Sequence, residues 1–191
     1  GHFTIGLGFV AAGDHDRAIE SFKKVIQVSL EPFYQYTAKT MLGFSYVSAG
    51  KFHEAESVLE EVVKFTEELG YAFMGSLAQA FMGIVMITKG DVTSGINIVE
   101  SLIQQHSQNG SRWRYSLINH MLGRVYSQIA RGGDGEKSIS FFLKNIGLLI
   151  KTVPFAAREA EEYLHRAIET SKEIGAKSIL GQAYLDFGKL H

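Results

Sequence analysis

The chain has 191 residues, 46% of them apolar and 20% charged, which is enough for a sizeable core, and its 19 basic and 20 acidic residues give a formal charge of −1. That balance provides no broad electrostatic footprint for nucleic acid or for an anionic membrane. The absence of cysteine removes disulfides, thiolate metal ligands and thiol nucleophiles together and fits a reducing, cytoplasmic setting.

In chain order, the apolar spacing predicts paired helices at 2–12 with 15–29, 32–49 with 52–69, and 71–89 with 92–108, followed by a helix at 111–130. The 3.6-residue period is clear in Ala18, Phe22, Val25 and Ile26, and again in Ala55, Val58, Leu59, Val62 and Val63. Pro32 sits where a helix would begin. One register recurs through these pairs: a helix glycine, a large apolar residue three later, a turn glycine seven later and a small residue twelve later. It reads Gly6, Phe9, Gly13, Ala18; then Gly43, Tyr46, Gly50, Ala55; then Gly83, Met86, Gly90, Gly95; a fourth copy opens with Gly123 and Tyr126 and departs. The small residues let two helices approach closely, and the turn glycine leaves the first helix.

This register resembles the tetratricopeptide repeat. The helix glycines are separated by 37, 40 and 40 residues, more than the usual period of about 34, so the helices or linkers are expected to be longer. The resemblance implies an all-α fold, a tetratricopeptide-like α-α superhelix of antiparallel helix pairs forming one domain over 1–191, with repeats at about 1–30, 32–70, 71–109 and 111–175.

Beyond Ala130 the register breaks. Ala130-Arg131-Gly132-Gly133-Asp134-Gly135 reads as a flexible link, and Ile139, Phe142, Leu143, Ile146, Leu149 and Ile150 then predict a helix inserted at 137–151. Pro154 is placed at the end of a connection. The partner helix is expected to resume at Phe155, where Ala160, Leu164, Ala167 and Ile168 restore the pattern of a second helix. Thirty residues separate the Ala130 position from Ala160, where the other repeats use five. A partial repeat at 176–191 follows, with a helix from Ile179 to His191. Both ends look cut, since only five residues precede Gly6 and no second helix covers the last one, so a fragment of a longer chain is expected.

Lys144-Asn145-Ile146-Gly147 through Val153-Pro154-Phe155-Ala156, then Ala160-Glu161-Glu162, Ile174-Gly175-Ala176-Lys177 and Leu180-Gly181-Gln182-Ala183-Tyr184-Leu185, resemble the C-terminal tetratricopeptide tail of bacterial proteins with a class III nucleotide cyclase domain and an ATPase module. The resemblance implies an interaction or regulatory region following the catalytic parts. Similar tails occur in transcription regulators and kinases. Nothing in this chain matches the cyclase metal-binding aspartates or the ATPase phosphate loop, so no catalytic residue is carried over.

Candidate chemistry fails on inspection. In Gly132-Gly133-Asp134-Gly135-Glu136-Lys137-Ser138, Glu136 stands before the lysine where a phosphate loop needs glycine, and no apolar strand precedes it. No pair of the seven histidines has i, i+4 spacing with a carboxylate. Glu159, Glu161 and Glu162 read as a solvated face near a helix start. Asn109-Gly110-Ser111 reads as an inter-repeat turn rather than a glycosylation acceptor. No apolar run approaches the roughly 18 residues of a membrane span. The expectation is a chain with no catalytic residue, cofactor or metal, bound to neither nucleic acid nor membrane.

Helix positions flanking the repeat glycine predict a partner-binding groove: Leu7, Phe44, Val47, Ile84, Ile87, His120 and Arg124. Its first three repeats are apolar, which suits an amphipathic helix. The alternative is that the inserted helix fills the groove and these residues are ordinary core. Arg112 and Trp113, within Arg112-Trp113-Arg114-Tyr115, form a second candidate contact, because Arg and Trp are favoured interface anchors; helix-start packing is the competing reading. The expected function is a non-catalytic interaction and regulatory module that binds a protein or peptide, other domains of its own chain, or a second copy as a homodimer. A small-ligand sensor using the inserted segment is the alternative.

Overall fold

The computed structural model describes residues 1–131 and 146–190. Among them the secondary structure is helical throughout: α1 His2–Ala12, α2 His15–Val28, α3 Pro32–Ser48, α4 Phe52–Leu69, α5 Ala72–Lys89, α6 Val92–Gln108, α7 Arg112–Ala130, α8 Ile146–Ile174 and α9 Lys177–Gly188. The chain divides into two compact units, Gly1–Val85 and Met86–His191.

The first helix of a pair is ended the same way three times. Gly13, Gly50 and Gly90 adopt φ of 76°, 73° and 105°, a left-handed conformation that side chains other than glycine resist. The next residue's N–H then reaches back to the carbonyl five positions earlier: Asp14 to Phe9, Lys51 to Tyr46 and Asp91 to Met86, each at 2.9 Å. These bonds satisfy helix-end carbonyls that have no partner within the helix. The large residue three after the repeat glycine therefore has a backbone role as well as a packing one. Asp14 and Asp91 go on to cap the following helices, accepting from Arg17 N at 3.2 Å and Ser94 N at 3.4 Å.

In the first unit α1 packs on α2, α2 on α3 and α3 on α4. The core there holds Ala18, Phe22, Ala55, Leu59 and Val62, all fully buried. A Cβ on Gly6 would lie 2.7 Å from the Phe22 ring, and one on Gly43 would lie 2.4 Å from Leu59. Each of these partners stands four residues after the small residue of its second helix. In the second unit α7 packs on α8, with α9 against both and α6 against α7. A Cβ on Gly123 there would meet the Leu164 side chain at 2.8 Å and its backbone nitrogen at 3.0 Å. Leu164 stands four residues after Ala160, so the fourth helix pair keeps the packing of the others despite the long interruption in sequence.

One expectation is corrected. Pro154 does not separate an inserted helix from a partner helix beginning at Phe155; it lies inside α8, which is continuous from Ile146 to Ile174. Proline removes one helical hydrogen bond and crowds the carbonyl four residues back, but here the helix extends on both sides of it. Residues 137–145 of the expected insertion, and the Gly132–Ser138 loop weighed as a phosphate site, lie outside the described residues. The last helix runs from Lys177 to Gly188 rather than from Ile179 to His191. Asn109-Gly110-Ser111 is a turn, with Gly110 at φ 72°.

Candidate functional site

Most of the predicted groove residues are packed inside their units. Phe44 and Val47 are buried, with the Phe44 ring 5.2 Å from that of Phe81 and 6.4 Å from that of His15. Ile84 and Ile87 are buried as well. All four side chains lie in the packed interior. Leu7 is the apolar exception, 38% exposed, and Arg124 is half-buried.

His120 is buried on α7. Its Nε2 lies 3.0 Å from Asp186 Oδ2 on α9, and Lys189 Nζ reaches the other Asp186 oxygen at 3.0 Å. Burial pushes the Asp186 carboxyl up, but the hydrogen bonds from His120 and Lys189 and the nearby charges of His120 and Arg124 outweigh it and bring the pKa down to about 2. This charged cluster ties α9 to α7. His120 is thus engaged with Asp186 inside its own unit.

Arg112 and Trp113 open α7 at its exposed end. Trp113 is 44% exposed, while Arg112 is paired with Glu173 of α8 and lies 5.9 Å from the Tyr115 ring centroid. The ion pair takes part of the arginine's contact potential, whereas the indole stays available.

Two features emerge that no sequence motif announces. In the first unit, rings from α3, α4 and the Gly70 turn form a cluster. Tyr36 stacks on Phe65 with centroids 3.6 Å apart, and Phe33 meets both Tyr34 and Tyr71 at 5.9 Å. Phe33, Tyr34 and Tyr71 remain largely exposed, as does neighbouring Leu30.

The second feature is a cleft of about 460 Å³ between α6, α7 and α8, lined by Glu100, Gln104, Ser107, Gln108, Tyr115, Tyr163 and Arg166 above Ile103. Its volume falls in the range of about 300–1,000 Å³ typical of ligand sites. Tyr163 forms one wall, stacked on Tyr126 at 5.7 Å, and its hydroxyl donates to Glu100 Oε1 at 2.8 Å. Burial and that hydrogen bond to a carboxylate push the Tyr163 phenol far above its ordinary range; burial followed by the charges of Glu100 and Glu159 raises Tyr126 to about 12. Both phenols are thus neutral donors at physiological pH. Arg166 lies over the Tyr163 ring at 5.3 Å and pairs with Glu162. The available sequence signal was the row Glu100, Gln104, Gln108 at steps of four, visible only once α6 is phased.

Among the described residues, no helix is long and apolar enough to cross a membrane, and no group of three or more acidic or histidine side chains is placed to hold a metal.

Together these elements define an all-α, tetratricopeptide-like fold. Residues 37–69 match the family model of the tetratricopeptide repeat. Two similar solved structures show nearly identical tetratricopeptide-like repeats of a Podosopora anserina kinesin light chain, one of them as a single-residue variant. Each is 15% identical to this chain with a TM-score of 0.53; they cover 98% of this chain, which in turn covers 93% and 94% of theirs. At that identity the likeness shows the fold. None of the curated proteins compared matches this chain.

Proposed function

We propose that this chain is a non-catalytic protein-protein interaction and regulatory module of a larger cytoplasmic signalling protein, one that carries a nucleotide cyclase or ATPase domain. The observation that carries the interaction reading is the exposed ring cluster of the first unit. Phe33, Tyr34 and Tyr71 hold one another in place while presenting aromatic surface to solvent, so little side-chain freedom is lost when a partner covers them. The tetratricopeptide match over 37–69 contains α4 and most of α3, which supports the same reading. The link to a cyclase parent rests on the resemblance over residues 141–188.

Trp113, Leu7 and Arg124 supply further contact points, and Arg112 a weaker one because of its pairing with Glu173. Partners of this module are proteins, peptides, domains of the same parent chain or a second copy, with neither nucleic acid nor membrane among them. The test is to assay the parent's nucleotide turnover with and without these residues, and with Tyr34→Ala and Trp113→Ala in place. A change in turnover on removal, reproduced in part by the ring substitutions, is the expected result. Identical rates in all four proteins would remove the regulatory reading.

A further inference from the structure

The cleft of the second unit has a chemistry of its own. Glu100, Gln104 and Gln108 stand at steps of four along α6 and all line it. Each step advances about 6 Å along the helix axis, and two residues of an extended peptide advance about 6.6 Å. The three side chains span about 12 Å, so this ladder runs nearly in phase with alternate residues of an extended chain of about five residues. Carboxamides suit a peptide backbone because each offers both a donor and an acceptor to the N–H and C=O groups that alternate along it. Gln104, Ser107 and Gln108 are exposed and have no side-chain partner among the described residues, so their donors and acceptors face solvent.

The Glu100 end of the ladder is acidic. One Glu100 oxygen accepts from Tyr163, and the carboxylate keeps further acceptor positions. Glu159, near enough to act on Tyr126 along with Glu100, is paired with Arg158, so the charge that counts at this end is that of Glu100. Among the described residues the one cation lining the cleft, Arg166, is paired with Glu162. A positive side chain is therefore favoured at this end by the Glu100 carboxylate, the Tyr163 ring being already engaged by Arg166 and Tyr126.

We infer that the cleft between α6 and α8 is a binding site for an extended peptide segment of a protein partner, its backbone held by Gln104 and Gln108 and one arginine or lysine directed to Glu100. This rests on the interaction-module reading and gives it a site and a partner chemistry.

The test uses the ¹⁵N-labelled 191-residue chain and blocked serine pentapeptides with arginine, citrulline or glutamate at one end or the other, together with an arginine peptide N-methylated at alternate backbone amides. The arginine peptide is expected to shift the carboxamide signals of Gln104 and Gln108. Glu100→Gln should weaken its binding roughly tenfold, because glutamine keeps an acceptor for Tyr163 and removes only the charge. Citrulline should cost a similar factor, and backbone methylation should abolish the carboxamide shifts. Unmoved carboxamide signals at millimolar arginine peptide, equal binding of the glutamate peptide, or indifference to methylation would each overturn the assignment. Shifts confined to Trp113 or to Phe33 and Tyr34 would also sink this site while leaving the interaction module standing; if turnover is unchanged and the carboxamides still respond, the regulatory reading falls and this site stands.

Discussion

Replacing Gly123 by alanine tests the packing rule that joins the helix pairs. In an isolated helix the change would be favourable by about 1 kcal/mol, because alanine has the better helix propensity. In the folded unit the new methyl would lie 2.8 Å from Leu164 Cγ, 3.1 Å from Cδ2 and 3.0 Å from the backbone nitrogen. The Leu164 side chain is fully buried and cannot swing into solvent, and no rotamer change moves a backbone nitrogen. The helices must separate, so the cost belongs near the upper end of the roughly 1–3 kcal/mol seen for overpacked cores. The net expectation is a loss of about 2 kcal/mol, on the order of 30-fold in the unfolding equilibrium. Gly181→Ala is the matched control. It lies in α9 of the same unit, nothing stands within 4 Å of its added Cβ, and it should stabilise by about 1 kcal/mol. Urea unfolding followed by circular dichroism at 222 nm measures both. Should Gly123→Ala prove as stable as the parent chain, or track Gly181→Ala, the close approach of α7 and α8 is not what selects glycine.

Gly50→Ala should destabilise by about 1–2 kcal/mol, although nothing stands within 4 Å of its added Cβ, because its φ of 73° is strained for any L side chain; a neutral result in the same urea assay would contradict that account. Asp186 is expected to make stability pH-dependent. Its folded pKa of about 2 lies below the ordinary value of 3.8, so its contribution of about 2 kcal/mol is present above about pH 4 and lost as the pH falls towards 2. The stability difference between the parent chain and Asp186→Asn should shrink over that interval, and a constant difference would refute the linkage. Ser116→Ala should cost about 1–3 kcal/mol, since Ser116 Oγ lies 2.6 Å from buried Ser171 Oγ and donates to Ala167 O at 3.0 Å; hydrogen exchange of α8 amides should quicken accordingly.

Much of the fold was legible because it is local. Gly13, Gly50 and Gly90 mark where the first helices end, since the left-handed turn is a property of single residues. Ala18 and Ala55 mark the second helices, since a 3.6-residue period needs no distant partner. The same reasoning erred at Pro154. Proline's local cost argued for a boundary, but Ala160, Leu164, Ala167 and Ile168 are buried in α8, and their packing with α7 and α9 outweighs the single hydrogen bond that Pro154 removes.

The candidate site was less legible. Spacing places Phe44, Ile84 and Ile87 on helix faces, but it cannot distinguish a face turned towards a groove from one turned towards a neighbouring helix. His120 looked like a polar residue lining that groove until α9 brought Asp186 to it from 66 positions away. The Glu100 ladder becomes a site only because Tyr163, 63 positions further on, folds back to form its wall. The sequence alone therefore determined the helices, their pairing and the close contacts that hold each pair, all governed by residues within one or two turns of each other. The tertiary structure decided which polar side chains are consumed in internal bonds and which remain open to a partner, because that depends on charges and rings brought together across the chain.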